Sequence, residues 1–543
     1  RVPTGARLKG DTLKLEVYMK YPIGIQTFEQ IIMDGYIYVD KTDLIYSLVT
    51  RGKIYFLSRP RRFGKSLLLS TLENYFQGRK DLFEGLKISE LENNWLAYPV
   101  FHIDFNGVNF NQPRALEAKL EGYISSWERI YEINPGIDFN LGSRFENVLR
   151  AAAQKYQRGA VVLVDEYDKP LLDVLDRDEK LLNHNRDILK AFYSTFKLAD
   201  RYLQFVFLTG VTRFSQVSVF SGFNSPKDIT INEEYEAICG ITEEELQLYF
   251  QTSIQEMAKR EECTANEMKQ ILKRQYDGYH FSERMKDIYN PFSILNAFDS
   301  KRPYDFWFSS GTPEYLIRLL NLSNENINEI TGKYYDSSNF MDYKAHAENP
   351  LPMLFQSGYL TIKDYDKRRN RFMLDFPNNE VKSGLLTLIA SNYLKTNEDT
   401  RNIAQEMVFS LEDGNLEKFH GILTAFLAEI PYTMRRKENE REKERYFHYT
   451  FYLILRLMSV YTVYTEKEQS QGRVDCIIET PKFVYIFEFK LNSTAKEALQ
   501  QIESKGYANP YKNDKRKLYK VGISFSSETG TIKDWDVQSS DEK

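Results

Sequence analysis

Apolar and polar positions follow two different periods along this chain, and the switch between them divides it into regions. Between residues 53 and 210, apolar runs of strand length, KIYFLS (53–58), PVFHIDF (99–105), AVVLVDE (160–166) and LQFVFLTG (203–210), are separated by helical spacing at about 66–76, 114–133, 143–157 and 178–199. Strands interleaved with helices predict a parallel sheet covered on both faces. From about 236 to 400 the helical period dominates, as in TEEELQLYFQTSIQEMAKR (242–260), interrupted by aromatic loops such as YDGYHFSERMKDIYNPF (276–292) and FWFSSGTPEYL (306–316). A mainly helical middle domain follows, its motifs read as packing and loop capping.

Helices at about 401–412 and 415–429 lead to RRKENEREKER (435–445), which flows into the apolar FHYTFYLILRLM (447–458). Mixed signs fit a solvated helical turn better than a nucleic-acid arm. The remainder reads as strand YTVYTEK (461–467), strand RVDCII (473–478), strand FVYIFEFK (483–490), helix 494–508 and strand KLYKVGISF (517–525), an αβββαβ order. Residues 1–18 lack a clear period and are read as leader sequence before a natural start at Met19. The expected domains are therefore 19–235, 236–400 and 401–543.

Composition narrows the classes. At 543 residues the chain is too long for a single core, and an aromatic content of 14% argues against disorder. No run reaches the roughly 20 apolar residues that span a bilayer, so a soluble, cytoplasmic protein without membrane contact is expected. Cys239, Cys263 and Cys476 are odd in number and far apart, which predicts no disulfide framework, and the six histidines show no zinc-finger spacing. A net charge of −5 provides no global attraction to nucleic acid, so any such contact must use local basic patches.

Two constellations carry chemistry. SRPRRFGKSLLLS (58–70) places Gly64-Lys65-Ser66 at a helix start after a strand. Helix-terminal amides there can hold phosphate oxygens, Lys65 can reach the outer phosphates and Ser66 can bind Mg²⁺. The usual first glycine of such a loop falls at Arg59, which removes a permissive turn residue. The strand at 160–166 ends in Asp165-Glu166, the arrangement that sets one carboxylate by Mg²⁺ and another to orient water. Thr209 ends the next strand, with Arg213 one turn later as a sensor, an arginine finger or a surface ion pair.

The second constellation is FVYIFEFK. Strand alternation places Ile486, Glu488 and Lys490 on one face and Tyr485, Phe487 and Phe489 on the other. A four-residue ETPK loop (479–482) would pair Ile478 with Phe483 and set Asp475 diagonal to Glu488. Two carboxylates could then share a divalent ion while Lys490 orients water or stabilises a phosphate, as phosphodiester hydrolysis requires. Glu444 could reach this site from upstream, and Gln501 and Tyr507 from the following helix. The simpler reading is an amphipathic edge hairpin with its charges in water.

The motifs YVDKTDLI (38–45), SRPRRFGKSLLLS, VVLVDEYDKPL (161–171), LTGVTRFS (208–215) and IYNPFSIL (288–295) resemble the bacterial AAA-ATPase-like family. GRVD (472–475) and YIFEFKL (485–491) resemble its usual partner, a PD-(D/E)XK nuclease-superfamily domain, although Val474 stands where the superfamily has proline. The resemblance implies an ASCE/AAA-like P-loop parallel sheet and a PD-(D/E)XK αβββαβ domain. It further implies that the phosphate loop includes Arg61, Arg62, Phe63, Gly64, Lys65 and Ser66, that Asp165 and Glu166 form the acidic pair, and that Asp475, Glu488 and Lys490 form the nuclease core. The leading expectation is an ATP-binding, ATP-hydrolysing, Mg²⁺-dependent DNA nuclease, with Mn²⁺ able to substitute and nucleotide state regulating cleavage. A nucleotide-dependent switch or scaffold that binds nucleic acid or protein without cutting is the alternative. A third reading has Arg59 abolishing nucleotide binding. Oligomers are compatible with the sequence, and stacking would let Arg213 act in trans.

Overall fold

Four apolar strands and one short edge strand form the first sheet of the computed structural model. The structure describes residues 19–539 except 135–139, 176, 214–225, 308–326, 342–348, 395–399, 430–453, 455–457, 459–462, 466–467, 470–471, 474–475, 513 and 527. The expected leader at 1–18 lies outside the described residues, as does most of the helix expected at 447–458. The chain divides into two compact units, Arg1–Glu380 and Val381–Lys543.

In the first unit β1 (Ile54–Ser58), β2 (Val100–Asp104), β3 (Ala160–Asp165), β4 (Leu203–Gly210) and β5 (Lys227–Asp228) run parallel in the order β2-β3-β4-β1-β5. Every residue of β3 is buried, which is why its sequence is apolar without alternation. Phe101 packs on Trp127 of helix α2 (Ala115–Ile130) and on Phe145 of α3 (Leu141–Tyr156). Its neighbour His102 faces the opposite way, bonding Glu73 of α1 (Lys65–Phe76) at 2.9 Å. Helices therefore cover both faces. Register aligns Asp104 with Asp165, Leu57 with Thr209 and Ser58 with Gly210, collecting polar residues at the carboxyl edge of an otherwise apolar sheet.

The middle region is mainly helical, built around α4 (Glu243–Arg260), α5 (Ala265–Tyr276) and α6 (Pro291–Ser300). Capping boxes at Thr242/Glu245 and Thr264/Glu267 start the first two. Leu246, Phe250, Met268, Leu272 and Phe298 form their shared core. The sequence reading missed a small antiparallel sheet here, of β6 (Lys333–Tyr335), β8 (Arg371–Asp375) and β7 (Thr361–Asp366).

In the second unit α7 (Thr400–Glu412) and α8 (Leu416–Glu429) precede the sheet β9-β10-β11-β12-β13. These strands are Val463–Thr465, Cys476–Glu479, Phe483–Leu491, Lys517–Phe525 and Ile532–Ser539. The central pair β11–β12 is parallel, joined through α9 (Ala495–Ser504), and the outer pairs are antiparallel. Tyr485 donates to the Leu411 carbonyl at 2.6 Å and Phe487 packs on Phe419, so α7 and α8 cover the aromatic face. Val484 and Ile486 meet Leu499 and Ile502 of α9 on the other.

Two expectations for this unit need correction. The hairpin loop is Pro481-Lys482, closed by Thr480 N donating to Phe483 O at 2.9 Å, and Ile478 pairs with Tyr485 rather than Phe483. Because the slip is two residues, the faces stay as expected: Cys476 opposes Phe487 on the aromatic side. The expected strand 473–478 is divided, with Gly472–Arg473 pairing Glu468–Gln469 in a separate ribbon. The edge strand β13 was not expected, since its sequence IKDWDVQS is polar and half exposed.

Asp277, which ends α5, is fully buried, and among the described residues neither carboxylate oxygen has a partner of normal hydrogen-bond geometry. The nearest cation is Lys273, 3.7 Å away and engaged at 2.7 Å with Asp287. Burial, reinforced by Asp287, pushes Asp277 from 3.8 up to about 7. The folded state thus holds this proton more tightly than the unfolded chain, so its stabilising contribution is full below about pH 4 and is lost as pH rises to about 7. Asp277→Asn should therefore stabilise the protein at pH 8 by up to roughly 4 kcal/mol, with the advantage closing towards pH 4. Urea midpoints measured across that range check the expectation.

Candidate nucleotide and metal sites

The first site grows from the turn between β1 and α1. Gly64, the residue before the helix, has φ 88°, and Arg62 has φ 69°, so these two residues make the left-handed steps of the loop. Arg59, at the position expected to need glycine, is not among the left-handed residues. Its guanidinium turns into the core and donates to the carbonyls of Ser58 (3.0 Å), Thr230 (2.7 Å) and Tyr235 (3.3 Å), and it lies 4.1 Å above the Phe281 ring. Burial pushes it down to about 10, which leaves it charged at neutral pH. Phe63 is likewise an anchor, its side chain packed edge-on to Tyr279 and Phe281.

Lys65 is 6% exposed and donates to the carbonyls of Arg59 (2.9 Å) and Pro60 (3.0 Å). Burial pushes its ammonium down, opposed by the charges of Glu166 and Asp165. Ser66 Oγ donates to Asp165 Oδ2 at 2.6 Å, and Thr209 Oγ1 donates to Asp165 Oδ1 at 2.7 Å. Hence three of the residues singled out in sequence, from α1, β3 and β4, meet at one carboxylate. Glu166 follows with φ 51°, and burial pushes it up against the opposing pull of Lys65.

A cleft of about 530 Å³ opens beside this edge, lined by Arg61, Arg62, Gly64, Lys65, Ser66 and Glu166. Its other wall is formed by Pro22–Gln26 and, from the middle region, by Phe292, Asn296, Trp307 and Tyr359. Arg62 sits 5.0 Å over the Phe292 ring. Arg213 is directed elsewhere: Nε lies 3.0 Å from Asp228, and its amide donates to Gln356 at 2.7 Å. Sequence reading missed Asp104 and Lys169, which also line the cleft, and Asp168, which is fully buried and accepts from the amides of Val211 (3.0 Å) and Thr212 (2.6 Å). The available signals were Asp104 at the end of a strand and the second aspartate of DEYDK. The residues present fit Mg²⁺ and a nucleotide phosphate: hard oxygens of Ser66 and Asp165 lie together beside a helix start and a buried ammonium.

The second site lies in the other unit. Glu488 is 1% exposed, and Lys490 Nζ reaches both Glu488 Oε1 at 3.2 Å and Gln501 Oε1 at 2.6 Å. These three predicted residues converge on the α9 side of β11. Tyr507, in contrast, is buried in the core with Ile477 and Val484. Asp475 and Glu444 lie outside the described residues. Gly522 lets α9 approach the sheet, because a Cβ there would fall on the Ala495 carbonyl oxygen. The Glu488 carboxylate and Gln501 amide oxygens are hard ligands that suit a divalent ion, and the Lys490 ammonium beside them suits a phosphate.

Residues 22–220 match the family model described as a predicted AAA-ATPase, and residues 442–535 match that of the PD-(D/E)XK nuclease superfamily. A relative from Azotobacter chroococcum mcd 1, the "Uncharacterized protein in vnfD 5'region", is 33% identical over 525 residues, covering 96% of this chain and 99% of the relative. Among solved structures, that of the Aeropyrum pernix ORC1 protein in complex with DNA covers 66% of this chain and 95% of that one, at 11% identity and a TM-score of 0.24. No helix among the described residues is long and apolar enough to cross a membrane.

Replacing Arg59 by glycine should destabilise the protein, despite bringing the loop closer to the common pattern, because the guanidinium's carbonyl contacts are lost. A decrease of about 2–4 kcal/mol in unfolding free energy is expected. Chemical denaturation of Arg59→Gly beside wild type measures it.

Proposed function

This chain belongs to the family in which a predicted AAA-ATPase domain accompanies a PD-(D/E)XK nuclease-superfamily domain, and from that premise we propose an ATP-hydrolysing, metal-dependent DNA nuclease whose cutting is regulated by nucleotide state. The observation that carries the nucleotide half is the junction of Ser66, Asp165 and Thr209 beside the buried Lys65. Bound Mg²⁺ would neutralise charge on the outer phosphates of ATP. Ser66 and Asp165 would hold that ion. Lys65 exchanges its two loop carbonyls for phosphate oxygens, and the amides at the start of α1 hold the remainder. Glu166 orients the attacking water and accepts its proton, a role suited to a carboxylate raised by burial. Thr209 keeps Asp165 aimed at Ser66. Arg213 can serve as a finger, within one chain or across a stacked neighbour, only after leaving Asp228.

In the nuclease half, Glu488 and Asp475 are assigned to a divalent ion, Mg²⁺ or Mn²⁺, which would polarise the scissile phosphate. Lys490, steadied by Gln501, orients the nucleophilic water, and Glu444 completes the set. The alternative of a binding module that does not cut draws support from the net charge of −5, which offers DNA no broad attraction. Cleavage of supercoiled plasmid separates the two. Asp475→Ala should lower cutting by about 100-fold or more with ATP binding unchanged, whereas Lys65→Ala should weaken ATP binding by about 10–100-fold and alter the nucleotide dependence of cutting. Equal cleavage by all three proteins would overturn the nuclease assignment, and equal ATP affinity in wild type and Lys65→Ala would overturn the nucleotide site.

A further inference from the structure

Beyond the acidic pair, the cleft contains a third carboxylate whose place follows from strand geometry. Side chains alternate along β2, so Phe101 meets α2 and α3 while His102 meets Glu73 on α1. Asp104, two residues beyond His102, shares the α1 face. It is the register partner of Asp165 on the neighbouring parallel strand, about 4.8 Å away by sheet spacing. It also lines the same cleft as Lys65, Ser66 and Glu166.

The backbone at Asp104 is pinned at both its amide and its carbonyl by one hydroxyl. The Tyr123 hydroxyl accepts from the Asp104 amide at 3.2 Å and lies 3.2 Å from the Asp104 carbonyl. One carboxylate oxygen accepts from Asn106 N at 2.8 Å, closing the turn after the strand. Among the described residues, no three acidic, histidine or cysteine side chains stand close enough to hold an ion directly. An acid one strand away from Asp165 is therefore suited to act through water, and Mg²⁺ normally retains several of its waters.

We propose that Asp104 is a positioning residue of the nucleotide site, accepting hydrogen bonds from waters of the Mg²⁺ hydration shell and so favouring Mg·ATP over free ATP. This rests on the nucleotide reading above. No bond is made or broken by Asp104, and its effect is on metal-dependent binding.

The test is ATP binding to the full chain by calorimetry, once with excess Mg²⁺ and once with EDTA, together with Mn²⁺ binding in the presence of ATP by electron paramagnetic resonance. Asp104→Asn keeps an acceptor for the Asn106 amide but removes the charge. It should weaken Mg·ATP and Mn²⁺ binding by about 10-fold, the lower end for groups that orient a metal's ligands. Binding in EDTA should be unchanged or tighter, because one carboxylate no longer repels the phosphates. Tyr123→Phe, which loosens the strand end without changing charge, should preserve the wild-type ratio of Mg²⁺ to EDTA affinity. An unaltered ratio in Asp104→Asn, or an equal loss in Tyr123→Phe, overturns the proposal while the nucleotide site stands. A wild-type protein that binds no ATP overturns both.

Discussion

The carboxylate of Asp165 is the joint on which the first unit depends. It accepts from Ser66 on one side and Thr209 on the other, so the phosphate-loop helix and two central strands share one hydrogen-bonded centre. Asp165 is 3% exposed, and a buried carboxylate is tolerated only where donors replace lost water. Those donors are also groups that could serve a metal and a phosphate. Structural satisfaction and chemical readiness are therefore the same arrangement, which explains why polar residues are collected at only one edge of an otherwise apolar sheet.

Arg59 shows how a departure from a common loop pattern can be accommodated. The position needs no left-handed backbone, since Arg62 and Gly64 supply those steps. The long side chain leaves the phosphate region and fastens the loop to carbonyls at 230 and 235, with Phe281 beneath it. Lys65 in turn holds the Arg59 and Pro60 carbonyls. Arg59 and Lys65 thus fix the loop between β1 and α1 from opposite ends.

In the second unit, the puzzle of an acid and a base ending an apolar strand has a geometric answer. Ile486 continues the core against α9, while Glu488 and Lys490 extend beyond it to meet Gln501. The strand is apolar where Leu499 and Ile502 cover it and charged where it meets Gln501 of the same helix. The hairpin slip of two residues leaves this intact, because strand faces repeat every second residue.

Periodicity alone determined most of the elements: the four long parallel strands, their helices, and the central strands of the second unit are continuous patterns that local propensity can express. It also located Lys65, Ser66, Asp165 and Thr209, since strand ends and helix starts are visible in one dimension. The half-exposed elements β6 to β8 and β13 were illegible because such strands lack a strong apolar signature. The direction of Arg59, the diversion of Arg213 to Asp228 and the approach of Asp104 to Asp165 were decided by tertiary structure alone. Each depends on which strands become neighbours and in what register, and those pairings join residues up to 171 positions apart that no local pattern connects.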